Sequence, residues 1–379
     1  MRSPTHIVAL ATKGSGSNDQ RRLEQLLSRL SPEVFPFDRG HKLRTFGRLL
    51  TTIVRRRPDL VVMEGTGLAG GAACMLGRIL GGVPYVVSSG DAVAPYLASK
   101  MAGLGPVAWL YEKLLCRMSA GFVGWTPYLV GRALTLGAPR AVTAEGWAGE
   151  AIDPAQWTRL RQTTRQSLGL PQGAIVWGIA GSLNWNRRRG YCYGMELVRA
   201  MQKVQRQDVR VLIVGGGTGL QRLRDLAAED RGGRIVLTGA VPESQVAAHL
   251  CAMDVGSLPQ SVDGVGSFRY TTKISEYRAA RLPVVTGQIP MGYDLDQGWL
   301  WRLPGRGPWD CACIDALARL MSRTGFDEVA ARRAAWDSAT ATFDREAQIA
   351  RVTEFIGDLL ADRPARPAAV LATTREARA

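Results

Sequence analysis

The 379 residues carry 48 Lys and Arg against 33 Asp and Glu, a formal net charge of +15, with 46% hydrophobic and 21% charged residues. That length suits two domains of roughly 100–200 residues each, and the balance is that of a globular chain, which excludes a disordered or fibrous one. The most apolar window, Leu68 to Val87, is broken by Arg78 and rich in glycine, where a membrane span needs roughly 20 strongly apolar residues. Met1–Leu10 lacks the charged, apolar, cleavable order of a leader peptide. Six cysteines without a CxxC pair point to reduced thiols and a cytoplasmic setting.

The charge is unevenly placed. Six of the basic residues are lysine and the rest arginine, a bias that coding composition alone can produce. Residues 1–57, however, hold 12 Lys and Arg against four Asp and Glu, whereas residues 58–150 hold six of each. A basic first segment on a neutral remainder implies a local field toward a membrane or another polyanion.

In chain order, apolar runs alternate with helix-length segments. His6–Ala11, Asp59–Met63, Pro84–Ser88, Gly121–Gly124 and Ala141–Thr143 read as buried strands. Asp19–Leu30, Leu43–Arg56, Leu68–Leu80, Val107–Met118 and Pro127–Leu136 read as the helices between them. The pattern pauses at Gly146–Pro154. It resumes with strands at Ala174–Ala180, Val209–Val214, Arg234–Leu237, Asp254–Leu258 and Pro283–Thr286. Such βαβα order predicts an α/β fold: two doubly wound, Rossmann-like parallel-sheet domains facing a cleft. The expected division is 1–150 for an acceptor-side domain and 151–345 for a donor domain. Residues 346–379 form a C-terminal helix and basic tail that could return to the first domain.

Three strand ends carry chemistry. Strand Arg210–Val214 runs into Gly215-Gly216-Gly217-Thr218-Gly219, a glycine-rich lead into a helix that can bring backbone N–H groups to a phosphate. Leu220 breaks the GxGxxG fingerprint, and no acidic residue ends the next strand, so a nicotinamide dehydrogenase is disfavoured. A turn needing glycine for its backbone angles outweighs phosphate contact there. The loop Gly181-Ser182-Leu183-Asn184-Trp185-Asn186-Arg187-Arg188-Arg189-Gly190 offers three arginine forks, suited either to phosphate oxygens or to a solvated surface. In GVGSFRYTTKISEYRAAR, residues 264–281, Thr272 reads as an N-cap with Lys273 in the first turn and Glu276 at i+3. A cation at a helix N-terminus opposes the dipole unless an anion compensates it. Lysine for phosphate and glutamate for ribose hydroxyls would suit a nucleotide diphosphate; a surface ion pair is the alternative.

The stretch Lys273–Val285, KISEYRAARLPVV, resembles the K-x-x-E-Y-x-A-x-x-x-P-V-V segment of glycosyltransferase family 4 and its GT-B relatives. Gly181-Ser182-Leu183 with Arg189-Gly190 is similar to that family's donor loop, VLIVGGG at 211–217 to its strand and turn, and Ile235–Val241 with Cys251–Pro259 to its next segment, Asp254 standing at the aspartate position. Weaker likeness lies in Arg57-Pro58-Asp59-Leu60-Val61, Gly82-Val83-Pro84-Tyr85-Val86 and the loop Thr12–Gly16. The chain departs from the pattern at Ser182, at Phe268 (the first glutamate of the family's E-x7-E pair), at Ser88–Asp91 and at Ala144-Glu145-Gly146.

The resemblance implies a retaining, metal-independent transferase taking a UDP- or GDP-sugar to a lipid-linked or saccharide acceptor in bacterial glycan or exopolysaccharide assembly. Lys273, Arg188 and Asp91 are its expected catalytic residues. Gly181, Ser182, Arg187, Arg189, Gly217, Thr272, Lys273 and Glu276 are expected on the donor, and Gly14, Gly16, Glu64 and Asp91 on the acceptor. No cofactor is expected beyond the donor. No metal is expected either, since three histidines and no DxD triplet are present and Cys311-x-Cys313 is too short for zinc. The alternatives are a catalytically weak binding or scaffold subunit, and an inverting transferase or epimerase of the same fold.

His41–Arg57 places Leu43, Phe46, Leu50, Ile53 and Val54 on one helical face and Arg44, Arg48 and Arg55 on another. That amphipathic segment, 42–57, is expected to reach an anionic membrane surface, making the protein peripheral on the inner face of the cell membrane. Tyr96, Trp109, Tyr111 and Trp125 within 95–125 offer a second interfacial surface. Nucleic acid is disfavoured as a partner, since no recognition module is present.

Overall fold

A computed structural model describes residues 5–100, 103–147, 152–230, 232–338 and 341–362. The expected boundary at 150/151 and the tail beyond 362 lie outside the described residues. The first half runs β1 (Ile7–Ala11), α1 (Asn18–Leu26), β2 (Glu33–Val34), α2 (Lys42–Arg56), β3 (Leu60–Glu64) and α3 (Leu68–Gly81). It continues through β4 (Tyr85–Ser89), α4 (Val93–Lys100), α5 (Gly105–Arg117), β5 (Gly121–Gly124), α6 (Pro127–Thr135) and β6 (Ala141–Thr143).

The second half opens with α7 (Pro154–Ser167), β7 (Ile175–Ala180), α8 (Met195–Met201), β8 (Val209–Val214), α9 (Leu220–Ala227) and β9 (Ile235–Gly239). There follow α10 (Glu243–Ala252), β10 (Val255–Leu258), α11 (Thr272–Ala279), β11 (Val284–Gly287), α12 (Met291–Asp294) and β12 (Leu300–Leu303). Helices α13 (Cys311–Arg323), α14 (Phe326–Ala334) and α15 (Arg345–Ala361) complete the described residues.

Among the described residues two six-stranded sheets result, ordered β2-β1-β3-β4-β5-β6 and β12-β11-β10-β7-β8-β9, and every pair of these strands is parallel. Both faces of each sheet are covered. Val8 and Leu10 enter one cluster while Ile7 and Ala9 enter the cluster on the other face; Trp177 and Ile179 are likewise divided from Val176 and Ala180. Strands buried on both sides must be apolar throughout, which is why they stand out as unbroken runs. In each sheet the strand order reverses beside the first strand of its half, at β1/β3 and at β7/β10. Ligands of open α/β sheets sit outside the carboxyl ends of the strands at such points.

Asp254 fastens α7 to the second sheet. Its buried carboxylate accepts from Arg161 and Arg165 at 2.6 Å each and from the Val176 N–H at 2.8 Å, with Arg333 at 3.5 Å. Helix α15 lies against the first sheet: Val352 and Ile356 pack with Ile7, Ala9 and Leu23. The Gln348 amide brackets the Gly146 backbone at 2.8 and 2.9 Å.

The structure differs from the sequence reading in places. Helix α1 ends at Leu26 and a 3-10 turn, Ser28–Leu30, follows, closed by Ser31 in the left-handed region. Helix α4 and strands β2 and β12 were not expected. On α2 the buried residues are Thr45, Leu49 and Ile53, and Leu43 is 87% exposed. The buried stripe is rotated because α3 approaches closely at Gly77, where a Cβ would stand 2.5 Å from Ile53 Cγ2.

Candidate active site

In the second half, β7 runs into Gly181 and β8 into Gly215, with φ of +151° and +143°. The two loops pair like a continuation of the strands: the Gly181 N–H donates to Val214 O, Leu183 N–H to Gly216 O and Gly219 N–H to Leu183 O, at 2.8–2.9 Å. A Cβ on Gly215 would stand 1.9 Å from Gly181 O, and one on Gly217 2.6 Å from the Leu183 carbonyl carbon. Close backbone packing therefore requires these glycines, and the amides named are already spent on one another. This is the turn reading of 215–219, in which backbone packing accounts for Gly215 and Gly217.

Helix α11 brings the other half of this wall. Its N-cap is Thr271 rather than Thr272; the Thr272 side chain lies outside the described residues. A Cβ on Gly181 would stand 2.7 Å from Lys273 Nζ and 2.8 Å from its Cε, so the ammonium occupies the space that glycine leaves free. The same Nζ lies 5.0 Å above the Tyr193 ring. The carboxylate of Glu276, one turn on, has no hydrogen-bond partner among the described residues. Burial raises its pKa above the usual carboxylate value, opposed by Lys273. An ammonium at a glycine-lined loop beside a half-buried, unpaired carboxylate is a pair of groups awaiting polar partners.

The arginine loop behaves differently. Arg188 donates to Ser99 O at 2.9 Å, across the cleft at the end of α4. Arg189 lies 3.7 Å from Asp263 and stacks over Trp309 at 4.7 Å. Ser182 and Arg187 are exposed. Of the three arginines expected at the diphosphate, Arg188 and Arg189 thus have protein partners, on a loop closed by the Asn186–Tyr191 bridge.

A cavity of about 540 Å³ lies at the carboxyl ends of β1, β3 and β4, lined by Thr12, Lys13, Glu64, Asp91, Trp125 and Arg269–Thr271 among others. Gly14 and Gly16 do not line it; with φ of +98° and +75° they form the turn into α1 that presents Thr12 and Lys13. Glu64 is 1% exposed, held by Arg22 at 2.9 Å and by the Ser88 hydroxyl at 2.7 Å. Burial shifts both partners toward neutrality, raising Glu64 and lowering Arg22 against their mutual attraction. Asp91 accepts from Arg269 Nε at 2.6 Å across the cleft.

Phe268 turns to the first half: its carbonyl accepts from Thr126 Oγ1 at 2.8 Å and its ring lies under Arg132. Trp125 Nε1 and Thr271 Oγ1 are buried without a hydrogen-bond partner among the described residues, and both residues line the cavity. Arg22, Trp125, Arg269 and Thr271 were missed from sequence. Arg269 stands next to the position where the family pattern expects a glutamate, and that adjacency was the available signal.

Residues 1–144 match the family described as "Glycosyl transferase 4-like domain", and residues 175–304 match "Glycosyl transferases group 1". This chain is a glycosyltransferase of the GT-B, family-4-like type. Its fold is shared with HepE of Anabaena, solved in complex with UDP and glucose (15% identity, TM-score 0.67, covering 93% of this chain and 100% of that one). Sucrose-phosphate synthase of Thermosynechococcus elongatus gives 15% identity and TM-score 0.68, covering 94% of the glycosyltransferase and 100% of the synthase. An E. coli protein described as trehalose-6-phosphate, bound with UDP-2-fluoro glucose, gives 11% and 0.65, covering 95% and 100%. No curated protein matches the chain. Among the described residues of the glycosyltransferase, no helix is long and apolar enough to cross a membrane.

Proposed function

We propose that the glycosyltransferase transfers a sugar from a UDP-sugar, or failing that a GDP-sugar, with retention of configuration and without a metal. The observation that carries this reading is the juxtaposition of Lys273, Gly181 and Glu276 at the switch point of the second sheet. Glu276 accepts the ribose hydroxyls. The Lys273 ammonium faces the diphosphate and stabilises the charge that develops as the glycosidic bond breaks, as fixed preorganised charge does in other transfer reactions. The UDP held by HepE of Anabaena favours uridine over guanosine. Arg187 is the member of the arginine loop left to assist.

The acceptor enters the cavity above Glu64 and Asp91. Asp91 receives or orients the acceptor hydroxyl, its carboxylate held by Arg269. A lipid-linked or saccharide acceptor in bacterial glycan assembly fits this reading, the lipid-linked one with the basic segment 42–57 on an anionic membrane. The test is calorimetric titration with UDP and GDP, then transfer assays with and without a chelator. Binding of UDP with micromolar affinity and chelator-insensitive turnover support the proposal; turnover only with added divalent cation overturns the metal-free part.

Phe268, in place of a glutamate, favours a second reading, a catalytically weak donor-binding subunit. Nucleotide binding without hydrolysis or transfer of any UDP- or GDP-sugar would decide for it.

A further inference from the structure

Fourteen large hydrophobic side chains are exposed among the described residues, and nine of them stand on α3 or on α5 and its N-cap. Monomeric proteins scatter such residues singly; a concentration marks a surface with a partner. Helix α3 lies between α2 and α5. A Cβ at Gly77 would meet Ile53 of α2, and one at Gly71 would stand 2.1 Å from the Tyr111 hydroxyl of α5. The three helices thus form one layer on the first sheet. Along its outer side run Leu76, Ile79 and Leu80 of α3 and Val107, Trp109 and Leu110 of α5, 38–66% exposed.

The charges of this layer have one sign. Helices α2 and α3 contain no Asp or Glu, and α5 contains only Glu112, which is 5% exposed and held by both arms of Arg132 at 2.6 and 2.8 Å. Arg44, Arg48, Arg55, Arg78 and Arg117 are exposed. The Lys113 ammonium lies over the Trp109 ring, 4.8 Å from its centre, and a lysine stem is long enough to carry that charge to headgroup level. Nearby Glu33 and Asp38 are already paired, with Arg56 and His41. Lys42 and Leu68, the first residues of α2 and α3, also line the acceptor cavity, so the layer begins at the mouth of the site.

We propose that the outer side of α3 and α5, with the basic side of α2, docks the protein on an anionic lipid bilayer and so sets the acceptor cavity at the membrane surface. Apolar side chains flanked by cations, without an exposed carboxylate, complement lipid chains below a layer of phosphates. A second copy of the chain would bring the same cations face to face. The inference extends the membrane contact proposed for 42–57, and its test reads vesicle binding rather than transfer, so it stands or falls apart from the transfer reaction.

The test is co-sedimentation of the full-length protein with vesicles of phosphatidylcholine alone and of a roughly 7:3 mixture with phosphatidylglycerol, at about 0.15 M salt. The protein binds the anionic vesicles and not the neutral ones. The Arg44→Gln/Arg55→Gln variant lowers the partition coefficient by about 30-fold, at about 1 kcal/mol per charge. Val107→Ser/Leu110→Ser removes two and three carbons and lowers it by at least about 15-fold, the figure for immersion of two of the five at about 0.8 kcal/mol each. Both variants keep the unfolding temperature and the UDP affinity of the parent. Equal behaviour with both vesicle types overturns the proposal, as does binding that neither variant weakens. A concentration-dependent dimer dispersed by Val107→Ser/Leu110→Ser, without vesicle binding, would also overturn it by assigning the face to a second copy.

Discussion

Gly181→Ala isolates the position of the Lys273 ammonium from its presence. The new Cβ would stand 2.7 Å from Nζ and 2.8 Å from Cε, roughly 1 Å inside ordinary contact, and the flexible lysine end yields before the backbone does. With an ammonium-to-phosphate distance of about 2.8 Å, retreat to about 3.8 Å at an effective dielectric of about 20 loses ~1.5 kcal/mol. If that interaction tightens as the leaving group departs, kcat falls about tenfold while UDP affinity falls less. Lys273→Ala, which removes the charge, lowers kcat by roughly 10²–10³. The φ of +151° at Gly181 also strains alanine, by about 1–3 kcal/mol of stability. A control is therefore needed, and Gly169→Ala supplies it: its φ is +65° and nothing lies within 4 Å of the added Cβ. That variant loses stability and keeps kcat. The assay is steady-state transfer with saturating acceptor, beside calorimetric UDP binding and thermal unfolding. A folded Gly181→Ala enzyme with the parent kcat, or one whose loss lies wholly in UDP affinity, refutes the placement of Lys273 at the leaving group.

Glu276→Gln should raise thermal stability at pH 8 and leave it unchanged near the bottom of the carboxylate range. Burial raises the folded-state pKa, so ionisation destabilises the fold, progressively as pH rises through the window above 4.5 and fully beyond the folded pKa. The same variant loses UDP binding, the trade expected of a functional carboxylate. Asp254→Ala leaves the fully buried Arg165 without its counter-charge and should cost about 3–5 kcal/mol in denaturant unfolding; a loss below ~1 kcal/mol would remove Asp254 as the fastening of α7. Arg269→Ala frees Asp91 and should raise the acceptor KM about tenfold with UDP affinity unchanged, since one charged hydrogen bond is worth about 1.5–3 kcal/mol before solvent screening. A change in UDP affinity instead would move Arg269 to the donor side.

What was readable in the sequence follows the range over which each interaction acts. Strands sandwiched between helices are apolar from end to end, so β1, β3, β7 and β8 declared themselves; β2, two residues at a sheet edge, and β12, with Arg302 exposed on it, carry no such run. Lys273 and Glu276 were readable as a pair because one helix turn separates them. The contact that positions Lys273 was not, since Gly181 belongs to another strand end and only the sheet order brings β7 beside β10. The stripe on α2 was read from its own period and came out rotated, because Gly77 of α3 decides which side is covered.

The loop before α11 shows the limit most sharply. Family resemblance expects a carboxylate at 268, toward the donor sugar; this chain has phenylalanine there, its ring under Arg132. The guanidinium of Arg132 is already satisfied by Glu112, so a flat apolar face suits it where a further carboxylate would not be needed. Arg269 then falls on the cleft side and meets Asp91. Replacing the expected acid thus exchanges a negative group at the cleft for an arginine that ties the two halves together. On the same loop Thr271 Oγ1, two residues before Lys273, is buried without a hydrogen-bond partner among the described residues.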